Sequence, residues 1–297
     1  MSIDPLSTRA VVTRGAKPGR TWTSTSARAP RLTDVLRVVL LSAGALVCLV
    51  PLVWMLLGSF KTPTELATMT FLPSSLSFEN YTTALGRFDF GRYLANSVIV
   101  TVGATVLTLV INSMAAYALA KYNFRGKTFL FLLTLATIMI PLQVILIPVY
   151  QVVASLGLVN TLWGMIIPAA ATPTGVFLLR QYMLSIPDEL IEAARVDGAG
   201  EFRIFLRIVL PLCTPALAVV AIFSVMWRWS DFLWPLVVAQ SESVYTLPVA
   251  LARFNAEETV PFNLILAMGV VATIPVLVIF LIFQRQIATG IANTGIK

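Results

Sequence analysis

Six stretches of this chain, at about 36–58, 94–120, 128–152, 158–180, 209–228 and 262–284, are almost free of charged side chains. Each is near the roughly 20 apolar residues that a helix needs to cross a hydrocarbon core about 30 Å thick. Lipid offers no partner for a backbone N–H or C=O, so a spanning segment must pair these groups internally, as a helix, or close into a barrel. A barrel needs short runs of alternating apolar and polar residues, and no such alternation is present here. The remainder of the composition agrees: 58% of the residues are hydrophobic and 12% charged, against about 25% charged in an ordinary soluble domain. The sequence therefore predicts an all-α polytopic membrane protein with six transmembrane helices.

Charge placement orients the spans. Of the 21 Lys and Arg residues, all but Lys61, Arg87, Arg92, Arg228 and Arg253 fall on one side when the spans are threaded back and forth. Loops rich in Lys and Arg stay in the cytoplasm, so both termini and the segment around residue 190 are expected inside. The net charge of +7 is thus a topology signal and gives no reason to invoke nucleic acid. Residues 1–34 are rich in Ser, Thr and Arg and are expected to form a disordered cytoplasmic tail. The apolar run that follows them is too long for a cleaved signal peptide. Residues 35–284 would form the transmembrane domain, with a cytoplasmic loop over 181–210, and 285–297 a cytoplasmic C-terminal tail.

The chain has no histidine, and its two cysteines, Cys48 and Cys213, lie within apolar spans. The usual metal ligands and the usual proton shuttle near neutral pH are missing. No catalytic residue and no metal site is expected.

The loop at 181–210 stands out against this apolar background. Ser185 is placed to cap a helix, Pro187 fits its first turn, and Asp188 and Glu189 suit the positive end of its dipole. Gly198 then follows "EAARVD", where a left-handed residue commonly ends a helix. A second helical pattern over 201–210 would put Phe202, Phe205 and Leu206 on one face. An amphipathic connector resting on lipid headgroups is one reading. A protein-docking element is the other, favoured by the small pair Ala193–Ala194 and by the acidic Glu189, Glu192, Asp197 and Glu201.

The full spacing carries a resemblance. Glu192-Ala193-Ala194, three residues, Gly198, nine residues, then Ile208-Val209-Leu210-Pro211 is similar to the signature loop of permease subunits in ATP-binding-cassette importers. More of the chain resembles the carbohydrate-uptake branch, which includes the maltose and glycerol-phosphate systems: "SFKTPTE" at 59–65, "FENY" at 78–81, "NSVIVT" at 96–101, "AYALAKYNFRGK" at 116–127, "IPLQVILIPVY" at 140–150 and "DFLWPLVV" at 231–238. The resemblance covers the chain from about residue 40 onward and departs at Ser230, where the family often has Asn. It implies the fold of a type I ABC importer permease, in the plasma or inner membrane of a prokaryote. It further implies a second homologous permease, two ATP-binding subunits, an extracellular solute-binding protein and a sugar substrate. Glu192, Ala193, Ala194, Asp197, Gly198, Ile208, Leu210 and Pro211 would receive the ATPase subunit. ATP would be bound by the partners and no cofactor by this chain. A non-sugar solute such as glycerol phosphate is an alternative cargo.

Other features need weighing. "FRGKT" at 124–128 ends like a nucleotide-binding P-loop, but Lys121 stands where its first glycine belongs and no strand precedes it, so a short turn is expected. An ion-driven secondary transporter would place carboxylates within the spans, and their middle portions contain no Asp or Glu. Asn112 and Gln143 are polar residues in spans and need partners, either between helices or along a translocation path. Trp227, clustered with Trp229 and Trp234, is either an interface anchor or a sugar-facing aromatic. Pro141 and Pro148, and Pro168 and Pro173, are expected to interrupt the third and fourth spans.

Overall fold

The computed structural model describes residues 32–68, 70–257 and 259–294. The predicted tail lies outside these residues up to position 31, as do the last three residues of the chain. Within the described residues every regular element is helical. In chain order they are α1 (Leu32–Gly58), α2 (Pro63–Ala67), α3 (Glu79–Arg87), α4 (Phe90–Lys121), α5 (Lys127–Ile138), α6 (Leu142–Ser155), α7 (Leu162–Ile166), α8 (Pro173–Leu184), α9 (Asp188–Val196), α10 (Glu201–Ile204), a π turn (Phe205–Val209), α11 (Leu210–Leu212), α12 (Thr214–Trp229), α13 (Leu233–Val238), a 3-10 turn (Glu242–Val244), α14 (Leu247–Ala256) and α15 (Phe262–Thr294).

The chain divides between Val50 and Pro51, within α1, into a short N-terminal unit and a body of residues 51–297. In the N-terminal unit α1 already begins at Leu32, inside the stretch expected to be disordered. Its apolar side chains, such as Leu41, Leu46 and Val47, are exposed, as on a helix that meets lipid. In the body, α15 continues to Thr294, so no break marks the predicted boundary at 285.

The predicted spans meet three outcomes. The helices at Val35–Gly58, Phe90–Lys121 and Phe262–Gln284 are long and apolar enough to cross a membrane unaided. The third and fifth stretches are bent pairs instead: α5 and α6 meet at 108°, and the segment Glu201–Leu212 meets α12 at 78°. Counting each pair as one span gives up to five. The fourth stretch, 158–180, is split into α7 and α8, with residues 167–172 between them. Proline explains part of this. Pro141 precedes α6 with extended ψ 138° and Pro173 opens α8, positions where a residue without an N–H costs no helical bond. Pro148, in contrast, lies inside α6 without ending it.

Helix α4 is the axis of the body: α7, α8, α12 and α14 all pack against it. With 32 residues it is about 48 Å long at 1.5 Å per residue, longer than the hydrocarbon core. One face carries a buried polar stripe, Ser97, Thr101, Thr105, Thr108 and Asn112, with Asn96 beside its first member; from Ser97 onward the steps are three and four residues, which keep it on one side. All of its members but Thr101, whose buried hydroxyl has no partner among the described residues, are hydrogen-bonded to neighbouring segments. Asn96 donates to the carbonyls of Ser243 and Tyr245, and Ser97 accepts the Leu247 N–H. Thr105 pairs with Ser224, and Thr108 donates to the Ala169 carbonyl. Asn112 donates to the Thr172 hydroxyl and accepts the Thr172 N–H. Apolar clusters fill in around it, one of them at the C-terminal end of α4 and beneath α9.

Candidate functional site

The local sequence builds α9 as a short, sharply bounded helix. Ser185 does not cap it: its hydroxyl donates to the Tyr182 carbonyl at 2.7 Å and closes the end of α8. Pro187, extended at ψ 135°, occupies the N-cap position of α9 instead. At the other end Gly198 has φ +77°. Its N–H reaches the Arg195 carbonyl at 3.0 Å, and the Ala199 N–H reaches the Ala194 carbonyl at 2.9 Å. These two bonds form a Schellman motif, which satisfies carbonyls that the helix end would otherwise leave open.

The two faces of α9 divide the predicted residues. Ile191 and Ala194 turn inward against Tyr117, Ala120, Leu179 and Ile204. Glu189, Leu190, Glu192, Ala193, Val196, Asp197 and Gly198 are exposed, Val196 at 88%. Of the alanine pair, then, Ala193 is open to a partner and Ala194 is a packing residue.

Beyond Gly198 the expected face at 201–210 is rearranged. Ile204, Phe205 and Val209 are buried, whereas Phe202 (67% exposed) and Leu206 point outward. The inward positions keep a helical spacing but lie on a different face from the expected one, chosen by packing against Tyr117, Ile191 and Ala194; the stretch Phe205–Val209 is a π turn. Ile208 and Leu210 pack against the cluster from its edge, and Pro211 is exposed. A shallow cavity of about 270 Å³ opens between α9 and this segment, lined by Ala194, Asp197, Ala199, Arg203, Ile204, Arg207 and Ile208. The result is a projecting helix with an apolar and acidic outer face beside a groove. Such a surface can be gripped by another protein; it has no nucleophile–base pair that could do covalent chemistry.

Three residues fasten this element in a way the sequence did not suggest: Glu201 stood out there only as one of the loop's acidic residues, and Lys121 only beside the P-loop-like turn. Lys121, whose side chain is 4% exposed, donates to the Ile186 carbonyl at 2.5 Å and to Asp188 at 2.6 Å. Glu201 accepts from Arg195 at 2.7 and 3.2 Å and from the Tyr122 hydroxyl at 2.6 Å. Arg195 and Tyr122 hold the Glu201 carboxyl below its usual range, Lys121 does the same for Asp188, and burial followed by Glu201 pushes the Tyr122 phenol up. No local signal could have found these pairs, which join residues 67 and 79 positions apart.

The candidate path residues are not brought together. The Asn112 side chain is buried and its amide is engaged by Thr172; Gln143 and Trp227 are exposed. Trp229 and Trp234 are buried, with the Trp234 indole N–H donating to the Gly164 carbonyl, so the three tryptophans do not share one surface. "FRGKT" is a turn in which Gly126, at φ +88°, starts α5.

Residues 110–293, well over half the chain and including this loop, match the family described as binding-protein-dependent transport system inner membrane component. The chain is 39% identical over 258 residues to the arabinooligosaccharides transport system permease protein AraQ of Halalkalibacterium halodurans, a match covering 85% of this chain and 92% of that protein. It is 31% identical over 271 residues to the sn-glycerol-3-phosphate transport system permease protein UgpE of Brucella abortus, covering 86% and 95%. Its structure resembles a chain of a bacterial ABC transporter involved in the import of the acidic polysaccharide alginate, with a TM-score of 0.79 and 26% identity over 89% of this chain and 99% of that one. The chain belongs to the binding-protein-dependent inner membrane components, and is thus an ABC transporter permease subunit and not itself an enzyme.

Proposed function

We propose that this chain is one permease of an ATP-driven sugar importer and that α9 is where the work of a separate ATPase subunit is received. The observation that carries this reading is the exposed face of α9, with Glu192, Ala193 and Val196 outward, on a helix held from behind and stopped at Gly198. An apolar side chain as open as Val196 beside acidic ones suits a protein cleft better than anionic lipid. In the assembled importer a second, similar permease completes the path, two ATPase subunits bind the ATP, and an external binding protein delivers the solute. Both termini are on the cytoplasmic side in this reading, which the bias of Lys and Arg to one side of the spans supports. Closure of the ATPases would displace α9, and rocking of the two permeases would open the path to each side in turn.

Sugar is the favoured cargo, since the AraQ relative is named for arabinooligosaccharides and the structural relative imports a polysaccharide. Gln143 and Trp227, both exposed, are available to the path. The part proposed for Asn112 is to join α4 to the start of α8 behind it.

The test is Ala193→Trp. Ala193 is exposed, so the bulky ring leaves the fold intact and blocks close approach. The variant should insert normally, lose copurifying ATPase subunits and lose uptake. Normal copurification with unchanged uptake would refute docking at α9.

A further inference from the structure

Helix α9 is fastened to α4 at both ends. At its start, Lys121 grips the Ile186 carbonyl and Asp188. At its end, the Arg195–Glu201 pair is held by the Tyr122 hydroxyl, with the Tyr117 hydroxyl 3.5 Å from the same carboxylate. Tyr117 in turn packs edge-on against Tyr122 and at a 33° tilt against Phe205, with ring centroids 5.4 and 5.2 Å apart. Farther along α4 the helix is bonded to segments outside the α-helices: Thr108 to Ala169 and Asn112 to Thr172 in the break between α7 and α8, and, near its start, Asn96 to Ser243 of the 3-10 turn and to Tyr245. One continuous helix therefore links α9 to the irregular backbone of the body.

We propose that Lys121, Tyr122 and Glu201 are positioning residues that lock α9 to α4 as one lever. Displacement of α9 is then delivered along α4 to the break at 167–172 and to the segment around Ser243. The inference rests on the reading of α9 as the ATPase-docking helix, and it adds the route by which the motion leaves that helix. Coupling across a distance needs an element that both sites bias. A hydrogen-bonded rod gripped at both ends of α9 meets that need, whereas a helix tethered at one end could pivot and dissipate the motion. None of the three residues lies on the exposed face of α9, so removing them need not alter docking. Both carboxylates stay ionised because each sits against a cation, Glu201 on Arg195 and Asp188 on Lys121.

The experiment uses the complete importer in proteoliposomes, with Cys48→Ser and Cys213→Ala as background and Ser243→Cys as reporter. Ser243 is exposed and uses its backbone carbonyl to meet Asn96, so a thiol there leaves that bond in place. A membrane-impermeant maleimide then reads the accessibility of position 243 with and without ATP. With the clamp intact, ATP changes the labelling rate. The Tyr122→Phe/Glu201→Gln variant, and separately Lys121→Met, should retain ATPase subunits and their ATP hydrolysis while the ATP-dependent change falls about tenfold, within the usual range of coupling between sites. Arg195→Lys, which keeps the charge, should restore part of it relative to Arg195→Ala. An unchanged ATP response in the variants would overturn the lever. Loss of copurifying ATPase subunits in them would also overturn it, showing that the residues build the docking surface. If the intact permease fails to retain ATPase subunits at all, the reading of α9 falls first, and that outcome is distinct from the other two.

Discussion

Gly198 shows how a single residue sets the site. At φ +77° a side chain with Cβ is strained by about 1–2 kcal/mol, although no atom beyond its immediate chain neighbours lies within 4 Å of where that Cβ would be. Gly198→Val should therefore loosen the end of α9 through backbone strain alone, and a several-fold loss of copurifying ATPase subunits from a normally inserted permease is the expected outcome. Wild-type retention would show that the helix stop is dispensable. Asp188 supports a second prediction. Lys121 lowers its pKa from the ordinary 3.8, with Lys127 and Arg195 adding to the effect. A carboxylate with a depressed folded-state value stabilises above its unfolded value and loses that contribution only as pH falls through the lower one. The Lys121–Asp188 link should thus stand unchanged between about pH 8 and pH 5, checked by tryptic cleavage at Arg195 and Arg203. Cleavage that rises across that window would mean another group governs the loop. At this scale the sequence conveyed the glycine stop, because αL geometry is a local requirement. It misplaced the cap at Ser185 because a hydroxyl can serve either the helix before it or the one after, and that choice depends on how the two helices are joined.

Among the elements, α4 is the one against which α7, α8, α12 and α14 all pack. Its polar stripe replaces lipid-like packing with hydrogen bonds to backbone that would otherwise be unpaired inside the membrane. Removing Asn112 strands the Thr172 N–H, and a buried group left unsatisfied costs about 1–3 kcal/mol. Asn112→Ala should accordingly lower the thermal midpoint of the purified permease, and Asn112→Asp, which keeps the acceptor, should lower it less on this count if it stays neutral. Gly175 is a sharper probe of the same joint. A Cβ there would lie under 3.0 Å from both the Asn112 amide nitrogen and the Thr172 hydroxyl, so Gly175→Ala should cost about 1–3 kcal/mol by overpacking. A midpoint equal to wild type would show that α8 can move away from α4. The sequence revealed these helices through apolar length but could not say which would be continuous. Pro51, Pro148 and Pro275 lie inside helices while Pro141 and Pro173 stand at helix starts, so proline content alone does not decide where a span breaks.

For the whole molecule, the division of labour is the central point. The chain belongs to the membrane component of a binding-protein-dependent system, and the short turn at Gly126 occupies the place where a superficial motif suggested nucleotide binding. Reconstituted without ATPase subunits, it should show no uptake of a labelled arabino-oligosaccharide under either a proton or a sodium gradient; gradient-driven flux would revive an ion-coupled carrier. What the sequence determined by itself was membrane residence, helical class and the E-A-A loop with its glycine stop. Apolar length, composition and a turn at positive φ are properties of neighbouring residues, readable without knowing what packs against them. What only the tertiary structure decided was which alanine faces outward, which apolar stretches break, and that Lys121, Tyr122 and Glu201 bind α9 to α4. Those depend on side chains that meet across 67 to 79 residues of chain, and a contact of that kind exists only after the helices have packed.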